Sequence, residues 1–162
     1  MSGNLTFDGN IKVAFVTTIA DINAPTVAEL TAGDELQDDL TPDGLDTSGD
    51  TAAVDESSLG STFSTEAAGR RSFTPSLTFK RYDSTGAATT PETTLDYRAK
   101  GYLVVRRSKL ASAAFAAADK VDVYPVECGQ PIPSTPAPNE VQKATVRMFM
   151  TGDPALAATV AA

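Results

Sequence analysis

Between Arg70 and Asp83 the chain reads RRSFTPSLTFKRYD, with Phe73, Pro75, Leu77 and Phe79 at every second position and Ser72, Thr74, Ser76 and Thr78 between them. Side chains alternate across an extended strand, so this spacing gathers the apolar set on one face and the hydroxyls on the other. A helix would scatter both sets around its axis. The chain must therefore build sheet with one dry side, and other segments repeat the demand. IKVAFV over 11–16 and GYLVVRR over 101–107 are dense in branched apolar residues. DKVDVYPVE over 119–127 sets Val121, Val123 and Pro125 against Asp122, Tyr124 and Val126. EVQKATVRMFMTG puts Gln142, Ala144, Val146, Met148 and Met150 on one side, with Lys143, Thr145, Arg147 and Phe149 on the other. STFSTEA over 61–67 reads as a further strand that turns at Gly69 and pairs back in a hairpin. Glu35 to Leu40 reads as a brief edge strand, weakened by Asp38 and Asp39, and PALAATVAA as a last strand tucked into the sheet.

Helices are few. In APTVAELTAG, Thr26 with Glu29 three residues later forms a capping box, and Gly33 stops the helix after two turns. Thr90, Pro91 and Glu92 supply an N-cap, a first-turn proline and an acid for a helix that runs through Leu95, Tyr97 and Arg98 to Gly101. KLASAAFAAAD has the alanine content of a helix, but a loop joins the flanking strands equally well. Asp83 to Gly86 is a turn, and TPDGLDTSGDTAAVDE is a long polar loop with Asp-Gly and Ser-Gly turns. CGQPIPSTPAPN carries four prolines in residues 128–139, which excludes helix interior and central strand and leaves an extended arm or stiff loop. These elements sum to a mainly β single domain over 1–162, a β-sandwich or open barrel with a flanking α-helix, carrying flexible residues 1–10, an acidic loop over 41–60 and the proline-rich arm.

Composition narrows the chemistry. The 162 residues suffice for one core and include no histidine and one cysteine, Cys128. A histidine-based triad is thereby excluded, as is a disulfide framework, and zinc lacks its usual ligands. Asp43, Asp46, Asp50 and Asp55 miss the spacing of a calcium-binding helix-loop-helix, and no glycine-rich phosphate loop follows a strand. The reading is of a non-enzyme with no cofactor and no metal. No apolar run approaches the roughly 20 residues of a membrane span, and MSGNLTFDGN lacks signal-peptide features, so synthesis in the cytosol is expected. The net charge of -8 is unevenly spread: residues 13–69 hold 12 acidic and no basic side chains, whereas 70–162 hold 12 basic and 8 acidic. Such asymmetry points to neutralisation within the chain or to head-to-tail contact between copies, and a solvated acidic face beside a mixed one accounts for the charge equally well.

The succession KGYLVVRR, an alanine-rich link with Phe115, AADKVDVYPVECGQ, a proline-rich connection, NEVQKATVRMFMTGD and the ending ATVAA resembles the major tail tube proteins of long-tailed phages of actinobacteria. KVAFVTTIADINAPTVAELTAG and TPDGL extend the resemblance over about Ile11 to Ala162, with the acidic loop at 43–58 as the chief departure. The resemblance implies a structural virion protein, made in the host cytoplasm, whose six-membered rings stack into the hollow tail tube. Its implied partners are further copies of itself, a tape measure protein, and terminator and initiator complexes, with double-stranded DNA in transit and no membrane. It makes Ser72, Thr74, Ser76 and Thr78 candidates for a lumen-facing strand, where hydroxyls would not adhere to DNA. Arg70, Arg71, Arg106 and Arg107 become candidates to meet a neighbour's acids, with Asp38, Asp39, Asp43 and Asp46 opposite them. Pro131, Pro133 and Pro136 join them as contacts of the arm. A capsid decoration or cell-surface adhesion module and a related secretion-tube ring are the competing readings.

Overall fold

The computed structural model describes residues 6–82 and 90–162. In chain order its elements are β1 (Lys12–Val16), α1 (Val27–Thr31), β2 (Asp34–Glu35), β3 (Leu40–Asp46), β4 (Gly49–Asp55), β5 (Glu66–Phe73), β6 (Ser76–Lys80), α2 (Thr90–Thr94), β7 (Lys100–Arg106), β8 (Lys120–Cys128), β9 (Ile132–Pro133), β10 (Lys143–Met150) and β11 (Ala155–Thr159). One curled sheet runs β2-β1-β7-β8-β10-β6-β3, with β11 on β8 and β9 on β10, and β4 pairs with β5 in a separate ribbon. All of these pairings are antiparallel.

The curl follows from how two strands divide their edges. β8 is bonded to β7 along Asp122 to Glu127, while β11 takes Lys120 to Val123 and β10 takes Val126 to Cys128. β10 in turn leaves β8 and continues along β6 from Lys143 to Arg147. The sheet thus curls, without closing, around an inner core of Phe15, Leu36, Leu77, Phe79, Leu103, Tyr124, Val126, Val146 and Met148. A second cluster lies on the opposite face of β1, β7 and β8, where Val16, Leu30, Val104, Phe115, Val121, Val123 and Val160 pack together. That half of the sheet is sealed on both sides, which explains the unbroken apolar run of β1.

α1 forms as its residues dictate: the Thr26 hydroxyl accepts from the Glu29 amide while the Glu29 carboxylate accepts from the Thr26 amide. α2 is shorter than expected. It ends at Thr94, the Leu95 amide still bonds to Pro91, and Leu95 is buried in the inner core. Arg98 then turns to φ 65° and its amide bonds to the Cys128 carbonyl, so tertiary pairing ends the helix well before Gly101. The alanine-rich link is a loop, and the expected turn at Asp83 to Gly86 lies outside the described residues.

Two further expectations need correction. The segment from 43 to 58 is largely strand, supplying most of β3 and all of β4 with a tight turn in which Asp46 accepts from the Ser48 amide at 2.8 Å. Gly69 does not turn the chain either. β5 runs straight through it and pairs with β4, and a side chain there would meet the Ala52 carbonyl oxygen at 2.9 Å. Glycine permits this close approach beside the bulge between Thr51 and Ala53.

The loop from 107 to 119 is organised by one buried cation. Arg106 shares the Val104 face of β7 and is fully buried. Its guanidinium donates to the carbonyls of Leu110, Ala113 and Ala114 at 2.8 Å each and to Asp119 at 3.1 Å, with Nε left without a partner. Asp119 also accepts from Lys109 and from the Ala116 amide. Phe115 lies against this guanidinium at 5.3 Å and against the buried Lys12 ammonium at 5.2 Å, and Lys12 is paired with Glu35 at 2.6 Å. Burial pushes the Asp119 carboxyl up, but the bonds from Lys109, Ala116 and Arg106 outweigh it and hold it below the ordinary 3.8. The stabilisation from this group is therefore present above pH ~4 and is lost as pH falls through its lowered folded value. We expect Asp119→Ala to reduce the unfolding free energy by about 3–5 kcal/mol, since it strands a buried cation. Urea unfolding at neutral pH checks this. In an acid titration of stability, Asp119→Asn should flatten the loss seen in the native chain below about pH 4.

Candidate assembly surfaces

The alternating stretch that opened the sequence reading is two strands. β5 ends at Phe73, β6 begins at Ser76, and between them Pro75 offers its carbonyl to the Met148 amide at 2.8 Å. The alternation nevertheless survives the break. Pro75, Leu77 and Phe79 are buried and Phe73 packs at the core margin against Tyr124, whereas Ser72 and Thr74 are exposed and Ser76 and Thr78 half-buried.

The hydroxyl face of β6 continues onto β10. Ser76 lies opposite Arg147, and Thr78 opposite Thr145 with their hydroxyls 2.9 Å apart. The cations near this face are mostly occupied. Lys143 is paired with Glu140 at 3.1 Å, Arg81 with Glu92 at 2.9 Å, and Arg98 and Lys100 with Glu127 at 3.5 Å. Lys80 donates to the Asp38 carbonyl and Arg147 stacks over the Phe149 ring.

The candidate contact residues divide sharply. Arg106 is removed from any surface by the internal pairing described above, because a guanidinium with no exposed area cannot meet a neighbour. Arg107 is engaged with Asp122 and with the Thr47 hydroxyl of its own chain. Arg70 and Arg71 lie exposed on β5, on the same ribbon as Asp50 and Asp55, and neither makes an ion pair among the described residues. Asp38, Asp43 and Asp46 are exposed and Asp39 half-buried, all beside the outer sheet edge formed by β3. Pro133 and Pro136 are exposed and Pro131 is half-buried, and Pro133 sits on β9 opposite Ala144. A proline is tolerated there because β9 borders only one strand.

The feature that sequence reasoning missed is the ribbon itself. Every residue of β4 is exposed, and so are Leu59 and Phe63 in its connecting loop. No hydrophobic run marks it, and mixed small and acidic residues resemble a loop. Burial of Arg106 did leave a trace: it has the parity of Val104 on a strand apolar on both faces.

Cys128 is buried, and that burial, with Glu127 beside it, pushes its thiol up to about 11. It is therefore an unreactive core residue. Among the described residues, no cluster of three or more acidic, cysteine or histidine side chains converges to hold a metal ion, and no helix is long and apolar enough to cross a membrane.

No curated protein matches the chain significantly. A chain in the cryo-EM structure of the anti-feeding prophage baseplate, six-fold symmetrised, matches it with a TM-score of 0.63 at 11% sequence identity, over 95% of each chain. At that identity the likeness establishes the fold alone. The family model described as phage tail tube protein matches residues 3–162, nearly the whole length. With its curled, mainly β sheet and its small helical content, the chain belongs to the phage tail tube protein family and is a structural component of the phage tail.

Proposed function

We propose that the chain assembles into six-membered rings that stack into the hollow tail tube, through which double-stranded DNA passes to the host. The observation that carries this reading is the ribbon of β4 and β5, which is held to the body at one end and has no core of its own. A two-stranded ribbon is marginal in water, so a persistent one needs a neighbour to cover it. Six-fold symmetry in an assembly containing a chain of the same fold supports the ring number. A tape measure protein and terminator and initiator complexes would set tube length and ends. The segments around KGYLVVRR and AADKVDVYPVECGQ favour a long-tailed phage of actinobacteria as the source.

In this reading Ser72, Thr74, Ser76 and Thr78 line the channel together with Thr145. Small hydroxyls offer a wet wall without apolar stickiness, and most cations on that side are neutralised within the chain, so phosphates gain little by lingering. The acids of β3 and β4, the proline-rich arm and residues 1–10 serve as contacts between subunits, with the exposed Arg70 and Arg71 among the cations that meet them.

Negative-stain electron microscopy of the purified protein at low and high salt should show hollow filaments or six-fold rings, with fewer at high salt. A chain that remains monomeric even with its initiator complex and tape measure protein would overturn the reading. For the channel, Ser76→Cys should react with a bulky polymer-linked maleimide in dissociated subunits and resist it in tubes, while a small maleimide reaches it in both. Equal labelling of tubes by the bulky reagent would place this face outside.

A further inference from the structure

The ribbon and one patch of the body are complementary in a way that the fold leaves unsatisfied within a single chain. At the far end of the ribbon, Leu59 is fully exposed and Phe63 is 77% exposed, and both are flanked by the carboxylates of Asp55, Glu56 and Glu66. On the body, a shallow groove between β9 and the end of β10 presents Ile132 at 66% and Phe149 at 51% exposure. Arg147 lies over the Phe149 ring at 5.1 Å, and among the described residues no carboxylate pairs with its guanidinium. Gly129 floors this groove, because a side chain there would crowd the Phe149 ring at 3.1 Å and the Arg147 carbonyl oxygen at 2.9 Å. One surface is apolar and acidic, the other apolar and basic.

We propose that the groove of Ile132, Phe149 and Arg147 receives the ribbon tip of a second copy of this chain. This rests on the tube reading and names the partner surfaces within it. Three arguments select a second copy. β5 has eight residues, so the ribbon spans roughly 26 Å, enough to carry its tip beyond its own body. Its charge pattern matches the groove, whose exposed Arg147 has no carboxylate partner among the described residues while the other basic residues of that face are paired in their own chain. Finally, Phe149 and Arg147 share a face of β10 with Thr145, so in a channel-lining sheet an uncovered Phe149 and Ile132 would set an apolar patch beside DNA. A tip laid over them restores a polar wall at the junction between rings.

The test uses cysteine pairs in the full-length chain, for which the buried Cys128 is a silent background. Chains carrying Phe63→Cys are mixed with chains carrying Ile132→Cys, assembled, and oxidised with copper phenanthroline, which takes two electrons from two thiols to form one disulfide. A covalent dimer linking positions 63 and 132 is expected in tubes and absent from dissociated subunits. Pairing Phe63→Cys with Leu45→Cys instead probes a second groove, whose lining includes Phe7, Ile11, Leu40 and Leu45. Tubes that cross-link only through position 45, or through neither, overturn the assignment while leaving the tube reading intact. Failure of the native chain to assemble overturns both. As a second readout, Arg147→Glu should abolish assembly and Glu56→Arg in the same chain should restore part of it. Unchanged assembly by Arg147→Glu counts against the proposal, and because Arg147 is exposed its effect is separable from misfolding by the unfolding midpoint of the monomer.

Discussion

A guanidinium sealed inside the protein sets the plan of this molecule. Arg106 sits where a strand covered on both faces leaves no water, and a charge there must be given hydrogen bonds by the protein itself. The loop from 107 to 119 provides them: three carbonyls and one carboxylate converge, and Phe115 is placed over both buried cations. Meeting that requirement wraps the loop across the outer face of β1, β7 and β8. The opposite end of the curled sheet, where β6 and β10 run side by side, receives no such cover. The molecule therefore has a closed half that stabilises it and an open half that presents side chains to whatever lies beyond.

The same division governs charge. Nearly every cation outside the ribbon is used at home, in pairs such as Lys12 with Glu35, Arg107 with Asp122 and Lys143 with Glu140. Among the described residues the acids of β3 and β4 find no such partners, although backbone amides bond to Asp46 and Asp55. The net negative charge is thus concentrated on the ribbon and the neighbouring sheet edge. Exposed pairs contribute little individually, about 0–1 kcal/mol, but in a repeating assembly each recurs at every interface. An acid-rich ribbon and sheet edge on a body whose cations are mostly paired would make copies repel one another except where, in the proposed docking, an exposed cation and an apolar groove coincide.

Much of the sheet was legible from residue spacing. The alternation of β6 and β10, the strands β7 and β8 and the capping box of α1 each follow from period and local chemistry, and each lies where expected. The misreadings share one cause. At Gly69 and between 43 and 58 the local sequence suits a turn or loop, whereas Ser72 to Phe79 suits one continuous strand that the structure breaks at Pro75; in each case what decides otherwise is a strand supplied from elsewhere in the chain. Gly69 is straight because β4 comes close against it, and Pro75 marks a change of partner because Met148 bonds to its carbonyl. Arg106 and Arg107 look like one surface pair in the sequence. Adjacent residues on a strand point to opposite faces, so one became the buried centre of a loop and the other a partly exposed ion pair.

The amino-acid order by itself determined that this chain is mainly β, that β6 and β10 each carry one dry face, and that histidine-based catalysis is unavailable to it. These follow from side-chain period and residue chemistry, which act over a few neighbours or over composition as a whole. Only the tertiary structure decided which acids and bases neutralise one another, that the acidic segment stands out as a ribbon, and that a free arginine shares a groove with two exposed apolar side chains. Those outcomes depend on which distant strands meet and in what register, and pairing across long loops is selected by the packing of the whole core rather than by any local preference.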